Sequence, residues 1–290
     1  MENTPKAESL FAVHPRSFDV NRYVYPVLSR RSGGLSLGVN LNLDKICNFD
    51  CIYCQVDRTR LGPKQKVDVA RLVEELERMV EWITSGRIYE ETKFRDTPPH
   101  LRRLNDIALS GDGEPTTYPN FAEIVAACAE VRRRWDLTDV KLVLITNATM
   151  FHREPVRRGL AILDANHGEI WAKLDAGTEA YYRQIDRTAV PFSRILANLV
   201  DAARVRPIVI QSLFMRVRDI ATPPAEQSAY CERLGEIVAA GGKIQLVQVH
   251  TVARQPAESW VSPLSNEEVD ALAALVRERT GLPVAAYYSA

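Results

Sequence analysis

Apolar β-like stretches and helical patterns take turns along this 290-residue chain, and that alternation limits its fold more than any other feature. Runs rich in Val, Ile and Leu, bounded by turn residues, predict strands over 35–43, 106–110, 140–146, 170–175, 207–215 and 243–251, with a short one at 283–288. Between them, apolar positions at helical spacing predict helices over 67–85, 121–135, 194–204, 225–240 and 266–280. In the first of these, Leu72, Leu76, Met79, Val80 and Ile83 fall on one side. Gly241 and Gly242 stop one helix, Gly281 stops the last, and Ser265 with Glu268 forms a capping box. A strand returning in the same direction needs a crossover helix, so repeated βα units mean a parallel sheet. The units predict an α/β fold, a partial (β/α)6-type barrel over residues 35–255. Residues 1–34 read as an N-terminal arm, 87–105 as a surface loop, and 256–290 as a C-terminal helix and short strand packed on the barrel. In such folds ligands sit at the C-terminal ends of the strands.

Charge and cysteine usage narrow the class. Lys+Arg and Asp+Glu are both 37, so the net charge is zero. That argues against a nonspecific nucleic-acid coat or a membrane-surface binder, though not against a local basic patch. The cations are mostly arginine, either for gripping carboxylates and phosphates or through composition alone. No run approaches the roughly 18 apolar residues of a membrane span. The polar start, without an apolar signal core, leads us to expect a cytoplasmic chain, where thiols stay reduced. The odd cysteine count, 5, fits that expectation better than a disulfide framework.

Three of the cysteines, Cys47, Cys51 and Cys54, crowd together directly after the first strand. They can hold one metal ion or one cluster. A structural zinc site wants four ligands, and His14 and His100 lie far off in sequence. Cys128 and Cys231 sit among apolar neighbours, where a free cysteine is usually a small buried hydrophobe. An iron–sulfur cube is normally held by four cysteines, so three leave one iron open. Zinc and three unrelated core thiols are the competing readings.

With an aromatic, Tyr53, before its last cysteine, this C-x3-C-x2-C loop resembles that of the radical S-adenosylmethionine (SAM) enzymes. The resemblance implies a partial radical SAM barrel and a [4Fe–4S] cluster on Cys47, Cys51 and Cys54. In that family the open iron chelates the methionine end of SAM. A reducing electron then cleaves the sulfonium and releases a 5′-deoxyadenosyl radical. Tyr53 takes the position near the adenine, or simply packs. The segment Ser110-Gly111-Asp112-Gly113-Glu114-Pro115-Thr116 is similar to the family's G-G-E-P motif, with Asp112 in place of the first glycine. It implies contacts to the methionine amino group from Asp112, Gly113 and Glu114: glycine for close backbone approach, Glu114 as ammonium acceptor. Thr146-Asn147-Ala148-Thr149 resembles a T-N-G-T segment. There Asn147 bonds SAM, or else caps the following turn.

Strand alternation puts Trp171, Lys173 and Asp175 on one face, and a Lys and an Asp inside a parallel strand are costly unless paired or functional. Glycyl-radical activating enzymes place a similar acidic/basic pair on this strand, in the reverse order, and that resemblance implies that Lys173, with Asp175 beside it, binds the methionine carboxylate; a Schiff-base amine is the alternative. Gln211 and Ser212 interrupt an apolar strand, and Ser212 is taken as a cofactor contact. Gln248, His250 and Arg254 share one parity and are taken as substrate contacts. Arg216, Arg218 and Arg254 follow strands and read as anion binders, or as solvated loop arginines.

The wider context, including Gly38-Val39-Asn40 and Val252-Ala253-Arg254, looks most like the wyosine-synthase-related branch. Members of that branch carry upstream cysteines for a second cluster, and none precedes Cys47 here. A small-molecule or protein substrate is therefore expected ahead of tRNA. The resemblance also implies a reduced flavodoxin- or ferredoxin-type electron donor. A glycyl-radical activating enzyme and a non-catalytic iron–sulfur protein are the alternatives.

Overall fold

A computed structural model describes Arg16, residues 18–63 and residues 66–289. Of the expected arm, residues 1–15 and 17 lie outside the described residues. One eight-stranded sheet dominates, in the order β1 (Val24–Ser29), β2 (Gly34–Val39), β3 (Leu104–Leu109), β4 (Lys141–Thr146), β5 (Gly168–Lys173), β6 (Ile208–Phe214), β8 (Ile244–Thr251) and β10 (Val284–Tyr287). From β2 onward every pairing in it is parallel. Short β7 (Arg216–Val217) and β9 (Val261–Ser262) pair antiparallel with each other. The helices are α1 (Val69–Thr84), α2 (Phe121–Arg134), α3 (Glu154–Asp164), α4 (Glu179–Asp186), α5 (Phe192–Val205), α6 (Pro224–Ala239) and α7 (Asn266–Thr280). The expected partial α/β barrel is present.

Two expectations about its edges change. Residues 24–29 do not form an arm; they add β1 antiparallel to β2. Pro26 obscured that strand, because proline cannot donate to a ladder and is tolerated only at an edge, which is where β1 lies. Tyr25 pairs with Gly38, where a Cβ would come within 2.2 Å of the tyrosine ring, so only glycine admits that ring. At the other edge, β10 does not merely pack on the barrel but hydrogen-bonds to β8. A bond from the Arg30 guanidinium to the Tyr288 carbonyl links the turn after β1 to the segment after β10.

The sheet divides its side chains by parity. Ile208, Ile210 and Phe214 of β6 belong to the large apolar core shared with the helices. Ala108, Val143, Trp171 and Val209 form a small separate cluster on the other face. Local signals fix the helix ends. Asp68 caps α1 by accepting from the Arg71 amide, Ser265 and Glu268 make the expected capping box on α7, and Gly281 ends α7 at φ +69°. No helix among the described residues is long and apolar enough to cross a membrane.

Candidate active site

All three crowded cysteines line one cavity of about 330 Å³. They sit in the long connection between β2 and α1, at the C-terminal end of the parallel strands. The loop is held by its backbone and by one apolar anchor. The Asp50 and Ile52 amides donate to the Asp186 and Ile185 carbonyls at the end of α4, at 3.1 and 2.9 Å. Ile52 is fully buried in a second apolar cluster with Tyr53, Ile185, Met215, Val252 and Val261. Asn48 ties the loop to the end of β4, donating to the Thr149 hydroxyl at 2.7 Å and accepting from Asn147 at 2.8 Å.

The three thiols face one cavity, and three cysteines match the donor set of a cube with one open iron. Among the described residues, no three His, Cys, Asp or Glu side chains group as ligands of one metal ion. A cube instead takes one thiolate at each of three irons. Cys128 and Cys231 lie in α2 and α6, in the core between helices and sheet, and are not on the cavity wall. Cations stand near the three thiols: an Arg58 Nη lies 3.5 Å from Cys54 Sγ. Burial pushes the Cys47 and Cys51 thiols up, and Cys51 donates to Asp186 at 3.3 Å. Asp186 gave no sequence signal, because helix α4 brings it to the loop only in the folded chain.

Lys173 ends β5 and lines the cavity. Its Nζ lies 3.3 Å from Asp175, 4.3 Å from the centre of the Tyr53 ring, and donates to the Tyr53 hydroxyl. Tyr53 in turn donates to Asp175 at 2.5 Å, and the other Asp175 oxygen accepts from the Leu213 amide at 2.7 Å. Burial pulls the ammonium down, but its acidic neighbours, Asp175 first among them, outweigh it and hold Lys173 above its usual range. An amine held protonated grips anions and is a poor nucleophile. Asp175 stays behind Lys173, off the cavity wall.

Three expected roles look different in the structure. Gly113 is needed for contact between loops: a Cβ there would lie 2.2 Å from the Ile46 carbonyl and 2.7 Å from Asn42 Cβ. Glu114 is engaged by the chain itself. One oxygen accepts from the Thr146 hydroxyl at 2.6 Å, the Thr116 amide at 3.1 Å and the Thr116 hydroxyl; the other accepts from the Asn147 amide at 2.8 Å. Asp112 is off the wall too, bonded to Arg16 at 2.7 Å and to Asn40 at 2.6 Å. Asn147 does line the cavity, while its side-chain oxygen caps the turn by accepting from Thr149.

Ser212 is a correction. It belongs to the parity of Ile208 and Ile210, points toward α6 and bonds the Tyr230 hydroxyl at 2.7 Å. Its neighbour Gln211 lines the cavity instead, and Gln248 sits behind it as the acceptor of its amide at 3.0 Å. Arg216 is also a correction, since it pairs with Glu268, and Arg218 lies over Trp260 at 5.7 Å; neither lines the cavity. His250 and Arg254 do, together with Arg16, Arg30 and Arg31, which the sequence reading left in an irregular arm.

A family model described as the Radical SAM superfamily matches residues 41–218, more than half of the chain. GTPase Obg of Brachyspira hyodysenteriae is 24% identical over 249 residues, covering 84% of this chain and 32% of that protein. A UPF0026 protein of Methanocaldococcus jannaschii is 30% identical over 162 residues, covering 56% of this chain and 43% of that protein. The chain thus spans 32% and 43% of the length of these relatives. A radical SAM methyltransferase from Sphaerobacter thermophilus has the same kind of fold, with a TM-score of 0.62 at 14% identity over 91% of this chain and 69% of that one.

Proposed function

The chain belongs to the radical SAM superfamily, and on that premise we propose that Cys47, Cys51 and Cys54 hold a [4Fe–4S] cluster beside a SAM site. When bound, the two together supply one-electron cleavage of the sulfonium, giving methionine and a 5′-deoxyadenosyl radical for hydrogen abstraction. The observation that carries this reading is the shared cavity: three thiols and the Lys173 ammonium face it from the C-terminal ends of the strands. Lys173, kept charged by Asp175 and oriented by Tyr53, grips the methionine carboxylate. Asn147 and the backbone of Gly111 and Gly113 line the same space and complete the polar contacts. Glu114 and Asp112 act indirectly, by fixing the loops that carry those groups. The substrate is a small molecule or a protein, and a reduced flavodoxin- or ferredoxin-type protein supplies the electron.

Anaerobic reconstitution tests the reading. The protein should take up about four irons and four sulfides, and dithionite-reduced enzyme should release 5′-deoxyadenosine and methionine from SAM. The Cys47→Ala/Cys51→Ala/Cys54→Ala variant should lose the cluster, while Cys128→Ala and Cys231→Ala should keep it. Full iron content in the triple variant would overturn the assignment.

A further inference from the structure

Arg58 fastens the cysteine loop to the Gly-rich turn after β3. It lies four positions past Cys54 and lines the cavity. One Nη donates to the Lys45 carbonyl at the start of the cysteine loop, and to the Asp112 carbonyl at 3.0 Å. The other Nη donates to Cys54 Sγ at 3.5 Å. A single planar fork thus spans both ends of the loop and the neighbouring turn, which the point charge of a lysine could not do. The surroundings leave little slack. Lys45 is held at a left-handed φ of +62°, which is strained for a residue with a Cβ. A Cβ on Gly113, next to Asp112, would lie 2.2 Å from the Ile46 carbonyl.

These contacts aim the guanidinium. Its partners are two carbonyls and a thiol, and no carboxylate pairs with it among the described residues. Arg58 Nε is buried and has no hydrogen-bond partner among the described residues. A buried N–H without an acceptor is costly, so this donor sits where an acceptor would be gained. The three thiols have unlike neighbours: Cys51 stands by the Asp186 carboxyl at 3.3 Å, and Cys54 by the guanidinium. Reduction of a [4Fe–4S] cluster adds one negative charge, and its potential follows net charge and hydrogen bonds to sulfur. In a partly buried space a fixed cation acts on that change more strongly than it would in water.

We propose that Arg58 is a positioning residue for the cluster: its guanidinium, held by the Lys45 and Asp112 carbonyls, bonds the Cys54 sulfur and raises the reduction potential. Its charge favours the reduced state and so eases uptake of the electron from the donor protein. Its two carbonyl contacts keep that charge at a fixed distance from the sulfur while also fixing the turn that lines the SAM side of the cavity. The inference rests on the function proposed above, since it needs a cluster on the three thiols.

A redox titration of the anaerobically reconstituted protein, followed by electron paramagnetic resonance, provides the test. Arg58→Gln should keep about four irons per chain and shift the oxidised-to-reduced ratio about tenfold toward the oxidised cluster, the effect of a lost bond to a charged group and equal to a midpoint about 59 mV lower for one electron. Arg58→Lys keeps the charge without the fork, and its midpoint should fall between those of Arg58→Gln and wild type. Iron content and circular dichroism melts of both variants are measured alongside. Three results would overturn the proposal: an unmoved midpoint in Arg58→Gln, an Arg58→Lys midpoint no higher than that of Arg58→Gln, or loss of the cluster from both variants, since Arg58 would then serve folding or assembly alone. A wild type that takes up no iron would fail the proposed function and this inference with it. A full cluster with an unmoved midpoint fails this inference alone.

Discussion

Two carboxyl groups line the same cavity and are equally buried, Glu114 and Asp106, both 3% exposed, yet their surroundings differ. Glu114 meets hydroxyls and amides from its own turn and from the end of β4, which together satisfy both oxygens. Asp106 accepts from the Ser36 hydroxyl and faces Arg31. Burial raises both groups, and it carries Asp106 to about 6 even though Ser36, Ser32 and Arg31 pull the other way. One wall is thus complete by itself, and it positions loops. The other holds a buried carboxyl between two serines and a guanidinium, and that carboxyl titrates.

The largest effect that would test this contrast is expected at Glu114. Glu114→Ala strands the donors of Thr116, Thr146 and Asn147 in a buried site and should cost about 3 kcal/mol in urea denaturation. Glu114→Gln should recover part of it. A loss below about 1 kcal/mol in the alanine variant would mean that the wall is not held by this carboxylate.

Asp106 should show the next effect, and it depends on pH. Its folded pKa, about 6, lies above the ordinary value of 3.8, so the native state binds the proton more tightly. That contribution is fully present below the unfolded pKa and is lost as pH rises through the folded one, a decline of roughly 2–3 kcal/mol between about pH 4 and 7. Asp106→Asn has no proton to lose there. The stability difference between variant and wild type should therefore shift toward the variant across that window; a constant difference would show that Asp106 does not titrate there.

Arg31→Gln should change stability by only about 1 kcal/mol, because the contact it loses is a cation–π approach over the Trp171 ring at 5.7 Å. A loss as large as that of Glu114→Ala would make the two walls alike. The smallest effect concerns Ala148, which sits at φ +60° on the Glu114 side. Ala148→Gly should raise stability by about 0.5 kcal/mol, since a left-handed backbone is strained for alanine. Thermal melts resolve both signs.

Legibility followed distance along the chain. The cysteine loop, the Gly-rich turn after β3 and the Lys173–Asp175 pair are short patterns whose members remain neighbours after folding, and each could be read in place. Ser212 was misplaced because polarity inside an apolar strand shows that a residue is special but not which face it takes; Gln211 took the cavity side and Ser212 the helix side. Glu114 and Gly113 were recognised as important, but the partners that explain them, Thr146 and the Asn42–Ile46 stretch, belong to other segments. Arg30 and Arg31 gave no signal at all. They follow a strand that Pro26 disguised, and their positions matter only because β1 and β10 approach each other as the sheet curls.

Parallel α/β order and family are legible along the chain, because period, caps and a three-cysteine spacing are local properties that fix local geometry. Only the tertiary structure decided which charges meet. Closure of the sheet placed Arg30, Arg31 and Arg254 in one low-dielectric space, and electrostatic energy depends on distances in the folded chain, where residues more than two hundred positions apart become neighbours.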